Sequence, residues 1–510
     1  MQVILSNMRE DSPAQNITSR PISLRVFGKT ALTYSAGNVV LRFTSFLLIP
    51  LYTRSLSTSD YGLLATLLLV VQFMTMLMDM GTSKALVRFA PEYREDNRSS
   101  ELIGTSYLIN IGSGLLLTSV AIIFLKPVFR GIFHTEIVTE YILLACGAAL
   151  AQSLFSSVAT YFRTGSESTH FVLTNLIAAI ALILVNLVLL HWLHMGVRSA
   201  MIAQIATYGT LWLAVTLMLV GRTGVRVSIR GVAQFMRYGV PLIFVVAGQT
   251  ITDTSAAFFL SYFKDLETVA IYSLAYKIAQ IAGMTLILPF QLAYEPFVFT
   301  QVNNPGVRAT IARLLTYLMV AFAFVGCAIA FVSKDVIQII APPNYLAAHD
   351  LICLILPGVA FGGVFYVAES LLHIEHKTHM TGITVSAATI VSIVVAYVAI
   401  PLFGVYGAIL ASTLGVSLSA VLLLRFGMKV FAIPLETSRL AIIAGVAILL
   451  LVSTLALSKT GGYVYHSLLP IIAVAVFATL YFGRFWYEDE RRAMRTALGA
   501  LKIKVSNGVL

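Results

Sequence analysis

The 510-residue chain is 58% hydrophobic and 11% charged, with a mean hydropathy of +0.88, far more apolar material than one or two water-soluble cores can use. Water cannot be its main solvent. The formal net charge of +11 would point to nucleic acid in a soluble protein, but in a membrane protein Lys and Arg are first of all topology signals, so no nucleic-acid partner is expected.

The first 29 residues are polar and carry Arg9, Arg20, Arg25 and Lys29 without an apolar h-region. No cleavable signal peptide is visible in them, so the first span is expected to serve as the targeting signal. A bilayer core takes ~20 apolar residues per helix, and fourteen such runs follow. Six, at 30–53, 61–81, 102–125, 138–162, 170–193 and 199–221, form an N-lobe over residues 30–221. A basic linker at 222–237 precedes six more, at 238–261, 268–290, 311–332, 349–373, 380–402 and 405–426, in a C-lobe over 238–427. A last pair, 440–457 and 467–482, lies within 428–485, and residues 486–510 form a C-terminal tail. Pro241, Pro289, Pro357 and Pro401 fall within or near span ends, where they bend or stop helices. The fold class is therefore an all-α polytopic membrane protein of about fourteen transmembrane helices, with two six-helix lobes and two extra C-terminal helices.

Lys and Arg are retained on the cytoplasmic side. Of the 34, twenty-five fall on the side shared with the N-terminus, seven on the other, and Arg42 and Lys277 lie inside spans. Both termini are expected in the cytoplasm. A shift of 208 residues lays MGVRSAMIAQ, from Met195, on FGVYGAILAS, from Phe403, matching Gly196 to Gly404, Ala200 to Ala408 and Ala203 to Ala411; it also pairs Gln72 with Gln280. A repeat of six spans gives both halves the same orientation, a parallel pseudo-repeat with a cavity between the lobes.

Ionisable and strongly polar groups at membrane depth are costly, so they face polar interiors or one another. Ser35, Asn38, Arg42 and Ser45 recur every three or four residues on one face of the first span. Gln249, Thr252 and Asp253 mark a face of the seventh, and Ser273, Tyr276, Lys277 and Gln280 a face of the eighth. Two cations against one acid predict a mildly cationic cavity suited to a phosphate or similar anion, with Arg42 and Asp253 able to face each other across it. The competing reading is an Arg42–Asp253 pair that only holds the lobes together.

Asp79, near Lys84 and Arg88, reads as an interfacial salt bridge; Glu369 is deeper, with His373 one turn away as a partner. His373, Glu375, His376 and His379 lack further ligands to complete a metal site. Cys146, Cys327 and Cys353 read as buried small hydrophobes. No metal or other cofactor is expected.

The segment NVVLRFTSFLLIPLYTRSLSTSDYGLLATLL from Asn38, YGVPLIFVVAGQTITDTSAAFFL from Tyr238 and FGVYGAILAS from Phe403 resemble polysaccharide-transporter flippases. These are the O-antigen and exopolysaccharide flippases of bacteria, in the superfamily that also holds the multidrug and toxic-compound extrusion antiporters. The resemblance runs over residues 25–485. It implies a twelve-plus-two-helix fold in the bacterial inner membrane, alternating access, and transfer of a polyprenyl-pyrophosphate-linked oligosaccharide from the cytoplasmic to the periplasmic leaflet. A polysaccharide polymerase and a chain-length regulator are the further partners it suggests. Arg42 and Lys277 would receive the pyrophosphate, with Asn38, Gln249, Tyr276 and Gln280 around the glycan. Coupling to a proton or sodium gradient would fall to Asp253 first and Glu369 second. A cation or drug antiporter of the same superfamily is the nearest rival and would need an acidic cavity. A major-facilitator transporter is disfavoured by GTSKALVRFAPEYRED after the second span, and a membrane-embedded polymerase or glycosyltransferase by the short outer connections.

Overall fold

The computed structural model describes residue 44, residues 46–458 apart from 97, 134–137, 165–167, 223, 303, 305 and 375–376, and residues 468, 471–472, 475, 485–488 and 490. Among these residues the chain is a bundle of helices, eleven segments of which are long and apolar enough to cross a membrane. Apolar side chains also coat the outside: Leu115, Leu116, Ile123 and Phe124 are each about two-thirds exposed, as expected where hydrocarbon is the solvent.

The first half runs from α1 (46–55) through α2 (Thr58–Asp79), α3 (Thr82–Glu95), α4 (Ser99–Phe133), α5 (Val138–Thr164) and α6 (Ser168–Leu187), with a π turn at Val188–Trp192, to α7 (Arg198–Arg222). The second half comprises α8 (Ile229–Phe263), α9 (Leu266–Gln301), α10 (Val307–Ile340), a 3-10 turn at Pro343–Tyr345, α11 (Ala348–Ile374), α12 (Thr378–Phe403) and α13 (Val405–Val430). It is followed by α14 (Thr437–Ser458), packed on α10 and α11; the expected spans at 30–53 and 467–482 lie largely outside the described residues.

The 208-residue offset holds at the level of helix caps. Ser57 accepts the N–H of Asp60 at the start of α2, and 208 residues on Asp265 accepts the N–H of Thr268 at the start of α9. Gly196 and Gly404 both adopt φ 58°, a left-handed backbone that glycine enters without strain. The starts of α4 and α10, and the ends of α7 and α13, are also 208 residues apart. Ala200 and Ala408, and Ala203 and Ala411, are all buried, small residues that let helices approach closely. Gly196 and Gly404 lie at the same end of the bundle as Ser57 and Asp265; the Lys264 ammonium there donates to the Pro401 carbonyl at 3.3 Å. We call this the Ser57 end and the opposite one the Gly81 end.

Two segments differ from the sequence expectation. The stretch 84–98, expected as a basic connection, is largely helix α3, which buries Ala85, Leu86, Phe89, Ala90 and Tyr93 and leaves the Arg88–Glu92 ion pair half-exposed. Its apolar spacing is a helical stripe too short to be read as a span. The basic linker at 222–237 is mostly the start of α8, which begins at Ile229, capped by Ser228. At 1.5 Å per residue its 35 residues reach ~50 Å, well beyond a hydrocarbon core of ~30 Å.

Candidate functional site

The two halves meet along α2, α8 and α9 and enclose a cavity of about 590 Å³. From α2 it is lined by Ala65, Leu68, Leu69 and Gln72, from α8 by Val246, Thr250, Thr254 and Ala257, from α9 by a face from Tyr272 to Gln291, and from α11 by Tyr366. Gln72 and Gln280, the residues the repeat pairs, both face into it. A chamber of about 260 Å³ adjoins it toward the Gly81 end, sharing Gln72, Val246 and Thr250. A further 160 Å³ or so extends into the second half beside Tyr276, Gln280 and Tyr366.

Contacts between the two halves bridge both ends among the described residues. At the Ser57 end, a Cβ built on Gly62 would lie 1.8 Å from the Leu266 carbonyl oxygen, so α2 and α9 touch backbone to backbone. Thr53 Oγ1 donates to the Ile340 carbonyl at 2.5 Å, Arg54 to the Ile339 carbonyl, and Asn344 to Thr58. The ring of Tyr61 meets that of Tyr345 edge-on at 5.9 Å. At the Gly81 end, the backbone of Gly81 abuts that of Gly239. Phe89 of α3 stacks on Phe235 of α8 at 5.7 Å, and Tyr93 donates to Gln234 at 3.2 Å. The unforeseen helix α3 is thus part of a seal.

Lys277 projects into the central cavity from α9. Its Nζ donates to the Tyr61 hydroxyl at 3.3 Å and lies 5.4 Å from the centre of that ring. No carboxylate lines this cavity among the described residues. The described lining thus presents one ammonium, three primary amides from the paired Gln72 and Gln280 and from Gln291, hydroxyls of Thr250, Thr254 and Ser273, and the rings of Tyr272, Tyr276 and Tyr366. Ammonium and hydroxyl donors suit anionic and polyhydroxyl ligands, and tyrosine rings offer apolar faces with polar tips.

Of the sequence-derived candidates, Lys277, Tyr276 and Gln280 come together in this cavity, as does Ser273. Asn38 and Arg42 lie outside the described residues, as do the side chains of Gln249 and Asp253 on α8; the Arg42–Asp253 pairing therefore falls outside them too. Glu369 is absent from the described lining and sits on α11 with its Oε1 3.8 Å from His373 Nε2. Glu375 and His376 are outside the described residues. Asp79 forms no ion pair with Lys84 or Arg88 among the described residues. It accepts bonds from the Thr82 hydroxyl at 3.1 Å, the Ser83 hydroxyl at 2.7 Å and the Ser83 N–H at 3.3 Å. The reason is local: Met80 and Gly81 both take positive φ, which turns the first residues of α3 back onto the carboxylate. Gln72 and Tyr61 join the site from α2. The repeat pointed to the first, by its match to Gln280, while no sequence signal marked the second.

A family model described as "Polysaccharide biosynthesis protein" matches residues 27–301. No curated protein matches the sequence. Among solved structures, the lipid II flippase MurJ in an inward closed conformation superposes with a TM-score of 0.66 at 13% identity, over 90% of this chain and 98% of that one. An inward-facing multidrug resistance MATE family transporter of the MOP superfamily gives 0.63 at 13% identity, over 81% and 96%. A MOP superfamily transporter from Pyrococcus furiosus, described as having a binding pocket of reverse polarity, gives 0.52 at 13% identity, over 82% and 96%. At such identities the likeness is one of fold.

Proposed function

We propose, since this chain belongs to the polysaccharide biosynthesis protein family, that it is a flippase moving a polyprenyl-pyrophosphate-linked oligosaccharide between leaflets by alternating access. The observation that carries this reading is the sign of the central cavity, which presents the Lys277 ammonium and no carboxylate among its described lining. A cation or drug antiporter would need the reverse. The structure of the lipid II flippase MurJ, whose fold the chain shares, supports the same class of cargo.

In this reading Lys277 and Arg42 bind the pyrophosphate, while Gln72, Gln280, Tyr276, Asn38 and Gln249 contact the sugars. The polyprenyl tail stays among lipid chains. The excess of Lys and Arg on one side puts the Gly81 end in the cytoplasm and the Ser57 end outside, so that cargo enters at the first and leaves at the second. Coupling to a proton or sodium gradient is assigned to Asp253 first, and to Glu369 second. The glycan would serve a surface polysaccharide such as O-antigen or exopolysaccharide.

The test is export in a strain lacking the gene and complemented with variants. A charge-assisted hydrogen bond contributes about 1.5–3 kcal/mol, so Lys277→Ala should cut surface glycan at least about tenfold with normal membrane insertion, and Lys277→Arg should retain most of it. Unchanged export in Lys277→Ala would remove this residue from the substrate site. Labelling of Glu267→Cys by an impermeant thiol reagent from outside the cell checks the orientation; reaction only after the cytoplasmic face is exposed would reverse it.

A further inference from the structure

The Lys277–Tyr61 contact joins the two halves of the molecule: Tyr61 is in the first turn of α2, and Lys277 is three turns into α9. It hangs directly from the Ser57-end seal. Tyr61 is almost fully buried and meets Tyr345 edge-on, and the neighbouring Gly62 abuts the backbone of Leu266 at the start of α9. The other polar contacts described across that end, from Thr53 and Arg54, run to main-chain carbonyls, and Asn344 donates to the Thr58 hydroxyl. Among the described residues no ion pair crosses it. Such a seal separates without exposing an unpaired buried charge, apart from Lys277 itself.

That exception gives the seal a chemical input. An ammonium at membrane depth must find a partner, and here a neutral phenol and the face of its ring supply it. A phosphate oxygen is a far stronger partner, because both members of the bond are then charged. An anion in the cavity therefore competes with Tyr61 for the same proton donors. The repeat provides no second copy of the contact, since the counterparts of Tyr61 and Lys277 at the 208-residue offset are Val269 and Leu69, so the ammonium enters this seal at one place.

Building on the anionic cargo proposed above, we infer that the Lys277–Tyr61 bond is a tether that holds the Ser57 end shut in the empty protein, and that a pyrophosphate head group releases it by taking the ammonium. Tyr61 is then a positioning residue: it senses occupancy through Lys277 and transmits it to Tyr345 and the α10–α11 turn. Substrate binding and opening of the exit end are thereby one event, and the empty carrier does not open outward.

The experiment places nitroxide labels on Ser55→Cys and Ile339→Cys, exposed positions on the two halves at the Ser57 end, in the full chain in lipid nanodiscs, and measures their separation. The native Cys146, Cys327 and Cys353 are buried, and the chain without added cysteines gives the background. Undecaprenyl pyrophosphate should lengthen the distance by about 5 Å, the scale of a one-turn shift of one element past another. Tyr61→Phe keeps the ring against Tyr345 and removes the hydroxyl, so it should lengthen the distance without any ligand. Lys277→Gln should do the same and respond no further to ligand. A response to inorganic pyrophosphate alone would make the anion the trigger, and a response confined to the lipid-linked form would require head and tail together; either supports the tether. A Tyr61→Phe distance equal to that of the unmodified chain would overturn it. So would wild-type protein that binds undecaprenyl pyrophosphate, measured by retention of the radiolabelled lipid on the purified chain, yet keeps its distance; the flippase reading would survive that result. Absence of binding would overturn both.

Discussion

Gly81 and Gly239 bring the backbones of the two halves into direct contact, a Cβ on Gly81 falling 2.5 Å from the Gly239 carbonyl oxygen and one on Gly239 falling 2.6 Å from the carbonyl oxygen of Met80. Neither position can accept a methyl group without the halves moving apart. Gly81 has φ 74°, so its replacement adds backbone strain of about 1–2 kcal/mol. Gly239 lacks that complication. Gly239→Ala should therefore hold the Gly81 end open without unfolding the helices. A cysteine at Ser156, which lines the adjoining chamber, should react with a soluble thiol reagent at least fivefold faster in that background, and export should fall. An unchanged labelling rate would show that this contact does not close the chamber.

The caps at Ser57 and Asp265 do the same job with different chemistry. Ser57 accepts the Asp60 N–H at 3.0 Å; Asp265 accepts the Thr268 N–H at 2.8 Å and the Thr268 hydroxyl at 3.0 Å. Losing such a cap costs about 1 kcal/mol, so Ser57→Ala and Asp265→Ala should each lower the thermal midpoint in detergent by a degree or two. Burial raises the Asp265 carboxyl, but the bonds from Thr268 outweigh it and hold it below the ordinary carboxylate range. A carboxyl depressed in the folded state contributes fully above its unfolded value of about 3.9 and loses that contribution as pH falls through the folded value. The penalty of Asp265→Ala should thus shrink below about pH 4, and a penalty that stays constant from pH 7 to about pH 3 would contradict the assignment of the effect to the Asp265 carboxylate.

Much of this architecture is legible in the sequence because membrane spans are long apolar runs with charged or Gly/Pro boundaries, and the 208-residue offset is carried by residues whose backbone geometry is unusual, Gly196 and Gly404 above all. The one-sided stripe Ser273, Tyr276, Lys277 and Gln280 lines the central cavity, a polar face on an otherwise apolar helix having few other uses. Three features were not legible. Helix α3 is amphipathic and short, below the length that marks a span, so its basic residues read as a loop. The bonding of Asp79 depends on the positive φ of Met80 and Gly81, and charge proximity in sequence suggested Lys84 and Arg88 instead. Tyr61 looks like an ordinary interfacial aromatic at the start of a helix; only the meeting of α2 and α9 in three dimensions gives it Lys277 as a partner.

The C-terminal segment is fastened by a buried charge cluster that yields the strongest stability expectation. The Arg439 guanidinium, at the start of α14, donates to Glu436 at 2.9 Å and to Glu490 at 3.0 Å, with all three side chains about nine-tenths buried. Tyr317 of α10 donates to Glu490, Thr316 donates to Glu436 at 2.7 Å, and the rings of Phe485 and Tyr487 lie 4.8 and 4.7 Å from the guanidinium carbon. Removing one member of such a cluster leaves the others buried and uncompensated. Arg439→Ala strands two carboxylates and empties an aromatic cage, and should cost on the order of 3–5 kcal/mol. Glu490→Gln keeps the shape and leaves Arg439 paired with Glu436, so its cost should be smaller, about 1–3 kcal/mol. Because the cluster joins α10 and α14 to Phe485, Tyr487 and Glu490 and lies apart from the cavity lining, both variants should unfold at lower temperature in detergent yet leave binding of undecaprenyl pyrophosphate unchanged below the transition. A Glu490→Gln variant as unstable as Arg439→Ala would mean that Glu490, and not the guanidinium, is the centre of the cluster.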